Sequence, residues 1–395
     1  MAGAGAGPAA PPGDRLLIPV LSAANFVIGM GAFMVIGMLV PVADDLGLTT
    51  AGAGWIMTIY ALSYAVLSPL AVAATGRIGR RRVLTAGMAT FGLASLLALL
   101  APTAEVLLAA RGLAALGAGL TTPVAAAVVA ATSPPERRAR ALAAVFFGLT
   151  LAQVLGVPAG GWLAYTFGWR SAFGVVAALA LPCAWLIWRR VPAGLRLAPV
   201  GLSDLGAVLR DIRPMSAVLF TTTFLGAIYV VFTYFAALLE ARMGYGRDGV
   251  TLVLLVFGLG AVVGNLVGGA LSDRIGAYRT LMVLAVAQVG LLLPFSALPM
   301  PDAALLALVF VWSVFGWSFA APQQLRVIGI APERASVLLA LNAAAIYVGA
   351  AVGAAIGGAV IGLAGLDALG VAAALAALVA LGNLVLSRRL NGGRA

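Results

Sequence analysis

The tripeptide Arg-Ile-Gly stands at residues 77–79 and again at residues 274–276. Two further short matches, Pro-Glu-Arg from residues 135–137 and Gly-Gly from residues 160–161, return with the same shift of 197 residues, half of the 395-residue chain. A single match in so uniform a sequence is weak, but three at one spacing indicate a repeat. The chain is therefore predicted to consist of two halves of similar structure.

The composition is that of a membrane protein. Only 9% of the residues are charged, 63% are hydrophobic and the mean hydropathy is +1.10, whereas soluble domains carry about 25% charged residues. A soluble enzyme, a disordered regulator and a nucleic-acid binder are excluded, despite the formal charge of +11. There is no His and a single cysteine, Cys183, so most metal sites, a Ser-His triad and a disulfide are not expected, nor is a cofactor.

Twelve apolar stretches are long enough to cross a bilayer as helices, since a span needs roughly 20 residues. Their predicted limits are 16–40, 54–74, 83–101, 106–131, 141–164, 171–188, 216–239, 250–271, 280–298, 303–325, 336–362 and 368–387. Six spans repeated as six keep the same orientation. The fold class predicted is an all-α membrane protein of two parallel-repeat six-helix bundles.

The arginines predict the orientation. If both termini face the cytoplasm, 20 of the 24 arginines lie on that side, three (Arg170, Arg242 and Arg247) lie on the other, and Arg111 lies within span 4. This distribution follows the positive-inside rule. We predict a multi-pass protein of a bacterial inner membrane, with both termini cytoplasmic.

The domain organisation follows from the spans and the repeat. We expect a flexible tail at residues 1–15, six-helix bundles at 16–188 and 216–387, and a short tail at 388–395. Residues 189–215, with five Arg and three Pro, form the predicted cytoplasmic linker.

Small residues recur every four positions in spans 5, 8 and 11, which places them on one face of each helix. We interpret these faces as the interface on which the two bundles rock, with static helix packing as the alternative. They comprise Gly148, Ala152, Gly156 and Gly160; Gly260, Gly264 and Gly268; and Ala345, Gly349, Gly353 and Gly357.

The loop after span 2 resembles the cytoplasmic signature of the major facilitator superfamily, Asp-Arg-x-Gly-Arg-Arg. Its matching residues are Arg77, Gly79, Arg80 and Arg81, while its acidic position is Gly76; the second copy has Asp273, Arg274 and Gly276. The resemblance implies a charge latch that breaks as the bundles move; a role in topology alone is the alternative.

Two more motifs resemble the twelve-span drug–proton antiporters and arabinose-efflux-permease-like exporters of that superfamily. Arg111 stands in a stretch similar to the buried-arginine motif of span 4, where a lone charge is functional by default; extension to the membrane interface is the alternative. Span 5 resembles the antiporter motif, which implies efflux. It contains Gly148, Gly156, Pro158 and Gly160, and Pro158 can kink the helix.

The first span departs from the family pattern, which usually has a proton-coupling Glu where this chain has Ala32. All 13 acidic residues fall in loops or at span ends. Three readings stay open: coupling through an end-of-span carboxylate, with Asp45 and Glu240 the candidates; an uncoupled facilitator; or a specialised or defective protein.

Candidate cavity residues are few and largely apolar or aromatic, although each could equally serve helix packing. They are Asn25, Phe33, Gln153, Tyr229, Tyr234, Asn342 and Tyr347. Such a cavity suits lipophilic compounds better than sugars.

The function predicted is therefore an exporter of small, mostly apolar molecules that works by alternating access as a monomer and is not an enzyme. Its partners are a small-molecule substrate and the lipid bilayer, with protons left open and nucleic acid excluded. The alternatives are an uncoupled facilitator, a sugar or amino-acid exporter, and a receptor or scaffold that transports nothing.

Overall fold

A computed structural model describes residues 16–134, 137–195, 206 and 208–392. The predicted N-terminal tail at residues 1–15 lies outside these residues, as do 196–205 and 207 of the predicted linker and residues 393–395. The described residues form helices and turns and no strand. Twelve helices are long and apolar enough to span a membrane: α1 (Leu17–Leu46), α2 (Thr50–Ala74), α3 (Arg80–Leu99), α4 (Ala104–Thr132), α5 (Arg140–Phe167), α6 (Trp169–Arg190), α7 (Ile212–Met243), α8 (Arg247–Ile275), α9 (Ala277–Ala297), α10 (Asp302–Ile330), α11 (Val337–Ala364) and α12 (Leu366–Leu390).

The twelve predicted spans are confirmed, but several helices extend past the apolar stretch. Helix α1 continues from the predicted end at residue 40 to Leu46 and stops where Gly47 takes a left-handed φ of 63°, a conformation that favours glycine. Helix α10 continues from the predicted 325 to Ile330. The predicted limit of α10 is the last residue before Arg326, which the helix includes.

Equivalent helices pack in the same way in the two halves. In the first half α1 packs on α5, α2 on α4, and α3 on α6; in the second, α7 packs on α11, α8 on α10, and α9 on α12. The halves meet through α2 against α11 and α5 against α8. These two contacts exchange when the halves are interchanged, as expected for parallel repeats related by an axis along the membrane normal.

The contacts between the halves are concentrated toward one end of the bundle. We call the end where α1 begins and α12 ends the termini side, and the opposite end the far side. Among the described residues, the hydrogen bonds and ring contacts that join the halves run from the middle of the bundle, at Tyr64 and Tyr347, to the far side, at Thr166 and Arg247. The bundle is thus closed on its far side.

The interruptions of α1 and α7 follow the repeat. Helix α1 changes to a 3-10 segment over Met34–Met38, and α7 is interrupted at Thr233 and Tyr234, positions that the 197-residue shift brings together. Helix α5 contains a π-helical turn at Ala152–Gly156. Such irregular turns leave backbone groups that must find other partners inside the membrane.

The second half is held by an aromatic cluster around Trp312 of α10. Its ring lies 4.9 to 6.2 Å from those of Phe232 and Phe235 on α7, Phe257 on α8 and Phe295 on α9. Its indole N–H donates to Oε1 of Gln288 at 3.0 Å. Edge-to-face ring packing of this kind adds to the energy of burial, so four helices are joined at one point.

The glycine faces lie inside each half, and the prediction that they form the interface between the bundles is wrong. A Cβ at Gly156 would lie 3.0 Å from Cα of Met30 on α1, in the same half. The corresponding glycines of α8 and α11 face α10 and α7. Where α5 and α8 meet across the interface, a close approach is made by Gly258 of α8, at which a Cβ would lie 2.7 Å from Cα of Val154 on α5.

Candidate functional site

Arg111 is buried against the broken part of α1. Its side chain is 1% exposed, Nη1 donates to the Gly31 carbonyl at 2.6 Å, and Nη2 donates to the Ala32 carbonyl at 2.9 Å. Both carbonyls immediately precede the 3-10 segment of α1, where the regular helical pairing is interrupted. The guanidinium also lies over the Tyr60 ring, 4.2 Å from its centroid. The side chain therefore points into the bundle and does not extend to the interface.

Next to Arg111 is a group of rings that we call the tyrosine cluster, formed by Phe33, Tyr60, Tyr64 and Tyr347. Tyr64 and Tyr347 stack with centroids 3.8 Å apart, and Phe33 and Tyr60 lie 6.5 and 6.4 Å from Tyr347. The cluster joins α1 and α2 of one half to α11 of the other. Among the described residues the buried Tyr60 hydroxyl has no hydrogen-bond partner, so a donor and acceptor is left available there.

The cluster contains two of the predicted cavity residues, Phe33 and Tyr347, and two that the sequence analysis missed. Tyr60 and Tyr64 are four residues apart and so share a face of α2. That four-residue spacing is the signal in the sequence that indicates them. Tyr229, also predicted, is fully buried on α7 and its hydroxyl has no partner among the described residues.

The other predicted cavity residues lie apart from this cluster or have their polar groups engaged. Asn25 donates to the Val145 carbonyl at 3.1 Å, and Asn342 accepts from the Thr221 hydroxyl at 2.6 Å. Tyr234 donates to the Ala354 carbonyl at 2.8 Å. These three bonds each link two helices of one half. Gln153 is partly buried in the π-helical turn of α5.

The two candidate coupling carboxylates have different surroundings on the far side. Asp45 forms an ion pair with Arg170 at 2.5 Å and accepts from the Trp169 indole at 3.0 Å, all within the first half. Glu240 of α7 accepts a hydrogen bond from the Tyr165 hydroxyl of α5, across the interface.

Glu240 also interacts electrostatically with a second carboxylate, Asp44 of α1. The charged residues at the start of α8, Arg247 and Asp248, are paired with each other at 2.7 Å. Tyr245 lies in the loop between α7 and α8, and its hydroxyl donates to Asp302 at the start of α10. Burial and this hydrogen bond raise the pKa of Tyr245 to about 12, so the phenol stays neutral. Glu240 is thus the far-side carboxylate whose contact depends on how the halves are arranged.

The two signature loops differ in this structure. Arg80 is buried with Nη2 3.4 Å from the Gly76 carbonyl, and Arg81 lies over the Trp188 ring, 4.2 Å from its centroid; Arg77 and Gly79 complete the loop. In the second copy, Asp273 and Arg274 are exposed and Gly276 has a φ of 84°. Within the described residues no ion pair joins Asp273 to an arginine. With the far side closed, the latch that this carboxylate is predicted to form is not made here.

Twelve membrane helices in two equivalent halves, with a buried arginine and an aromatic cluster where the halves meet, define a transporter of small molecules and not an enzyme. The sequence profile of the Major Facilitator Superfamily matches residues 21–329. The chain belongs to the major facilitator superfamily.

Relatives and solved structures agree with this family. The inner membrane transport protein YdhP of Escherichia coli (strain K12) is 32% identical over 351 residues, covering 88% of this chain and 90% of that protein. A chloramphenicol resistance protein of Streptomyces lividans is 33% identical over 341 residues, covering 85% and 86%. The fold is similar to that of a bacterial homologue of the human lysosomal transporter Spinster, in an inward-facing and occupied conformation. That structure has a TM-score of 0.73 and 16% identity, with 97% of each chain covered.

Proposed function

We propose that the protein exports small, mostly apolar aromatic molecules across a bacterial inner membrane by alternating access, as a monomer. The observation that carries this proposal is the tyrosine cluster, which lies at mid-membrane where the halves meet. Its rings are stacked on one another in this structure and carry few hydrogen-bonding groups, so an aromatic substrate is expected to stack between them when α2 and α11 move apart. A sugar, whose hydroxyls each need a partner, would leave many groups unpaired there.

The orientation proposed places the termini side in the cytoplasm, because the topology predicted from the sequence assigns 20 of the 24 arginines to that side. With the far side closed, the structure then corresponds to the state that receives substrate from the cytoplasm. Efflux as the direction is supported by the antiporter-type motif of α5 and by the resistance protein among the relatives.

For energy coupling we propose Glu240. Asp45 is held in an ion pair inside one half, and nothing in that contact changes when the halves move apart. The Glu240–Tyr165 bond joins the halves and must break when the far side opens. A carboxyl group released there can exchange a proton with the far-side solution, which links proton binding to the conformational change.

The rival is an uncoupled facilitator. It is favoured by the absence of a carboxylate beside the tyrosine cluster in the described part of the chain, where the family usually has Glu and this chain has Ala32, whose carbonyl is bound by Arg111.

The experiment is transport of a fluorescent lipophilic compound into liposomes that contain the purified protein, with and without an imposed pH gradient. We expect gradient-driven accumulation in the parent protein and in Asp45→Asn. In Glu240→Gln we expect equilibration only, because the amide keeps the bond to Tyr165 but binds no proton. Equal fluxes with and without the gradient in the parent would establish the facilitator. Gradient dependence retained in Glu240→Gln and lost in Asp45→Asn would transfer the coupling role to Asp45.

A further inference from the structure

A second arginine is buried in the membrane region, far from Arg111. Arg326 of α10 lies toward the termini side, is 2% exposed, and donates through Nη2 to the Ser387 hydroxyl at 2.6 Å. Its Nε and Nη1 have no hydrogen-bond partner in the described part of the chain, and no described carboxylate pairs with it. The aromatic contact available is distant, 5.9 Å to the Phe220 centroid. A buried guanidinium with unmatched charge and donors requires compensation.

A polar cavity of about 560 Å³ opens beside this region, where α7 begins and α10 and α12 end. Three arginines and two acids line it together with an amide: Arg213, Arg334, Arg389, Asp211, Glu333 and Asn391. Asp211 is already engaged, since it lies 3.5 Å from Nη1 of Arg334 and accepts from the Arg213 backbone N–H at 3.2 Å. The cavity with Arg326 behind it therefore has an excess of positive charge.

A series of hydrogen bonds connects the cavity wall to Arg326. The amide of Asn391 donates to the Arg213 carbonyl at 3.1 Å and lies 3.5 Å from the Ser216 hydroxyl. The Ser216 and Ser387 hydroxyls are 2.9 Å apart, and Ser387 accepts from Arg326. The buried charge is thus separated from the cavity by two small hydroxyl side chains, which transmit its field to the wall.

We propose that this cavity binds a phosphate group, with Arg213 and Arg389 as direct donors and Arg326 as the buried positive charge behind them. Guanidinium groups bind phosphate oxygens with paired N–H donors. Basic cavities between membrane helices on the cytoplasmic side receive anionic headgroups, and this cavity lies at the arginine-rich end. The phosphate has two sources, the headgroup of an anionic lipid and free phosphate in solution. The site is separate from the tyrosine cluster and does not depend on the transport function.

The test measures binding to the full-length protein in a neutral detergent, by native mass spectrometry and by the shift in melting temperature. The probes are phosphatidylglycerol, phosphatidylcholine and inorganic phosphate. We expect retention of phosphatidylglycerol and a rise in melting temperature that phosphatidylcholine does not give, because the choline cation next to its phosphate is repelled by the excess of positive charge in the cavity. A stabilisation by inorganic phosphate that equals that of phosphatidylglycerol identifies free phosphate as the ligand, and an effect restricted to phosphatidylglycerol identifies the lipid headgroup.

The variant Arg213→Gln with Arg389→Gln removes the two exposed donors without touching the helix core. Its affinity for the anionic probe is expected to fall at least roughly tenfold, since each charge-assisted bond is strong. Arg82→Gln, which removes an exposed arginine from the same end of the other half, should leave binding unchanged. Equal affinity in the double variant and in Arg82→Gln, or equal retention of phosphatidylglycerol and phosphatidylcholine, would overturn the proposal.

Arg326→Gln tests the buried charge separately. We expect weaker binding of the anionic probe and a smaller dependence of its affinity on salt, since one positive charge is lost. If Arg326→Gln does not fold, the exposed double variant still decides whether the site exists.

Discussion

At the residue scale, Arg111 shows why a charge is retained inside the membrane. It supplies three N–H groups to backbone carbonyls of α1 and α2, at Gly31, Ala32 and Ile56. The Gly31 and Ala32 carbonyls lie beside the 3-10 segment of α1, so the arginine compensates for the break in α-helical bonding there. Helix α7 is also interrupted, at Thr233 and Tyr234, but the position equivalent to Arg111 is Leu308.

We predict that Arg111→Ala abolishes transport while the protein still inserts and elutes as a single species. Arg111→Lys should retain less than roughly a tenth of the activity, because a point charge cannot bridge two carbonyls as the planar guanidinium does. Substrate flux in liposomes measures both effects. Arg242→Lys, which keeps a far-side ion pair with Asp367, is the matched control. Undiminished flux in Arg111→Ala would exclude this side chain from the mechanism.

Sequence patterns located Arg111 but not Arg326. The motif around Arg111 places it within a span, whereas Arg326 follows the last residue of an apolar stretch and reads as a loop charge. The helix continues to Ile330, because α-helical backbone hydrogen bonds do not require apolar side chains. Burial of Arg326 then depends on Ser216, Phe220 and Ser387 from helices distant in sequence, which no local pattern reveals.

At the element scale, the contact between α5 and α8 is set by Gly258. The π-helical turn of α5 contains Val154, and the missing side chain at Gly258 lets the two backbones approach. The regular glycine faces elsewhere on these helices serve packing within a half. Spacing alone shows that small residues share a face but not which neighbour that face meets, and this is why the predicted interface was misplaced.

Gly258→Ala is expected to open the contact between α5 and α8 and so disfavour the far-side-closed state. Overpacking of this kind costs about 1–3 kcal/mol, which shifts the balance between the two states by roughly fivefold or more. Transport should slow while each half remains folded, as measured by flux and by circular dichroism. Gly269→Ala in the same helix, where a Cβ meets nothing within 4 Å, should transport normally. Slowing of equal size in both variants would contradict the assignment.

At the scale of the whole molecule, the number of helices and the division into two halves could be predicted from the sequence. The length of each apolar stretch and the internal repeat can be read from the sequence without knowledge of the packing. The relative arrangement of the halves was not predictable. It depends on a small set of contacts at α2–α11 and α5–α8, and alternating access requires that those contacts be close in energy to their alternatives.

A disulfide across the far side should stop transport. A Cβ at residue 358 would lie 3.5 Å from the Ala51 carbonyl oxygen, across the interface. The variant therefore combines Ala51→Cys and Gly358→Cys in a Cys183→Ser background. Oxidation is expected to block flux and reduction to restore it. The control pair is Gly92→Cys with Ala180→Cys, within the first half, where a Cβ at residue 92 lies 3.2 Å from that of Ala180; its oxidation should leave flux unchanged. Full activity of the oxidised Ala51–Gly358 pair would mean that the far side does not open during transport.

The aromatic cluster around Trp312 has a consequence for how the molecule can be observed. Because its five rings join α7, α8, α9 and α10, the second half is expected to be stiff and to move as a rigid body. The Trp312 indole is packed among four phenylalanine rings. Its fluorescence is therefore expected at a short wavelength that does not change during the transport cycle. In the first half, Trp55, Trp162, Trp185 and Trp188 are exposed, and we expect them to face the lipid. Quenchers attached to acyl chains should reduce the fluorescence of these four tryptophans and leave that of Trp312 unchanged. The intrinsic fluorescence then distinguishes a second half that does not respond to the bilayer from a first half that does.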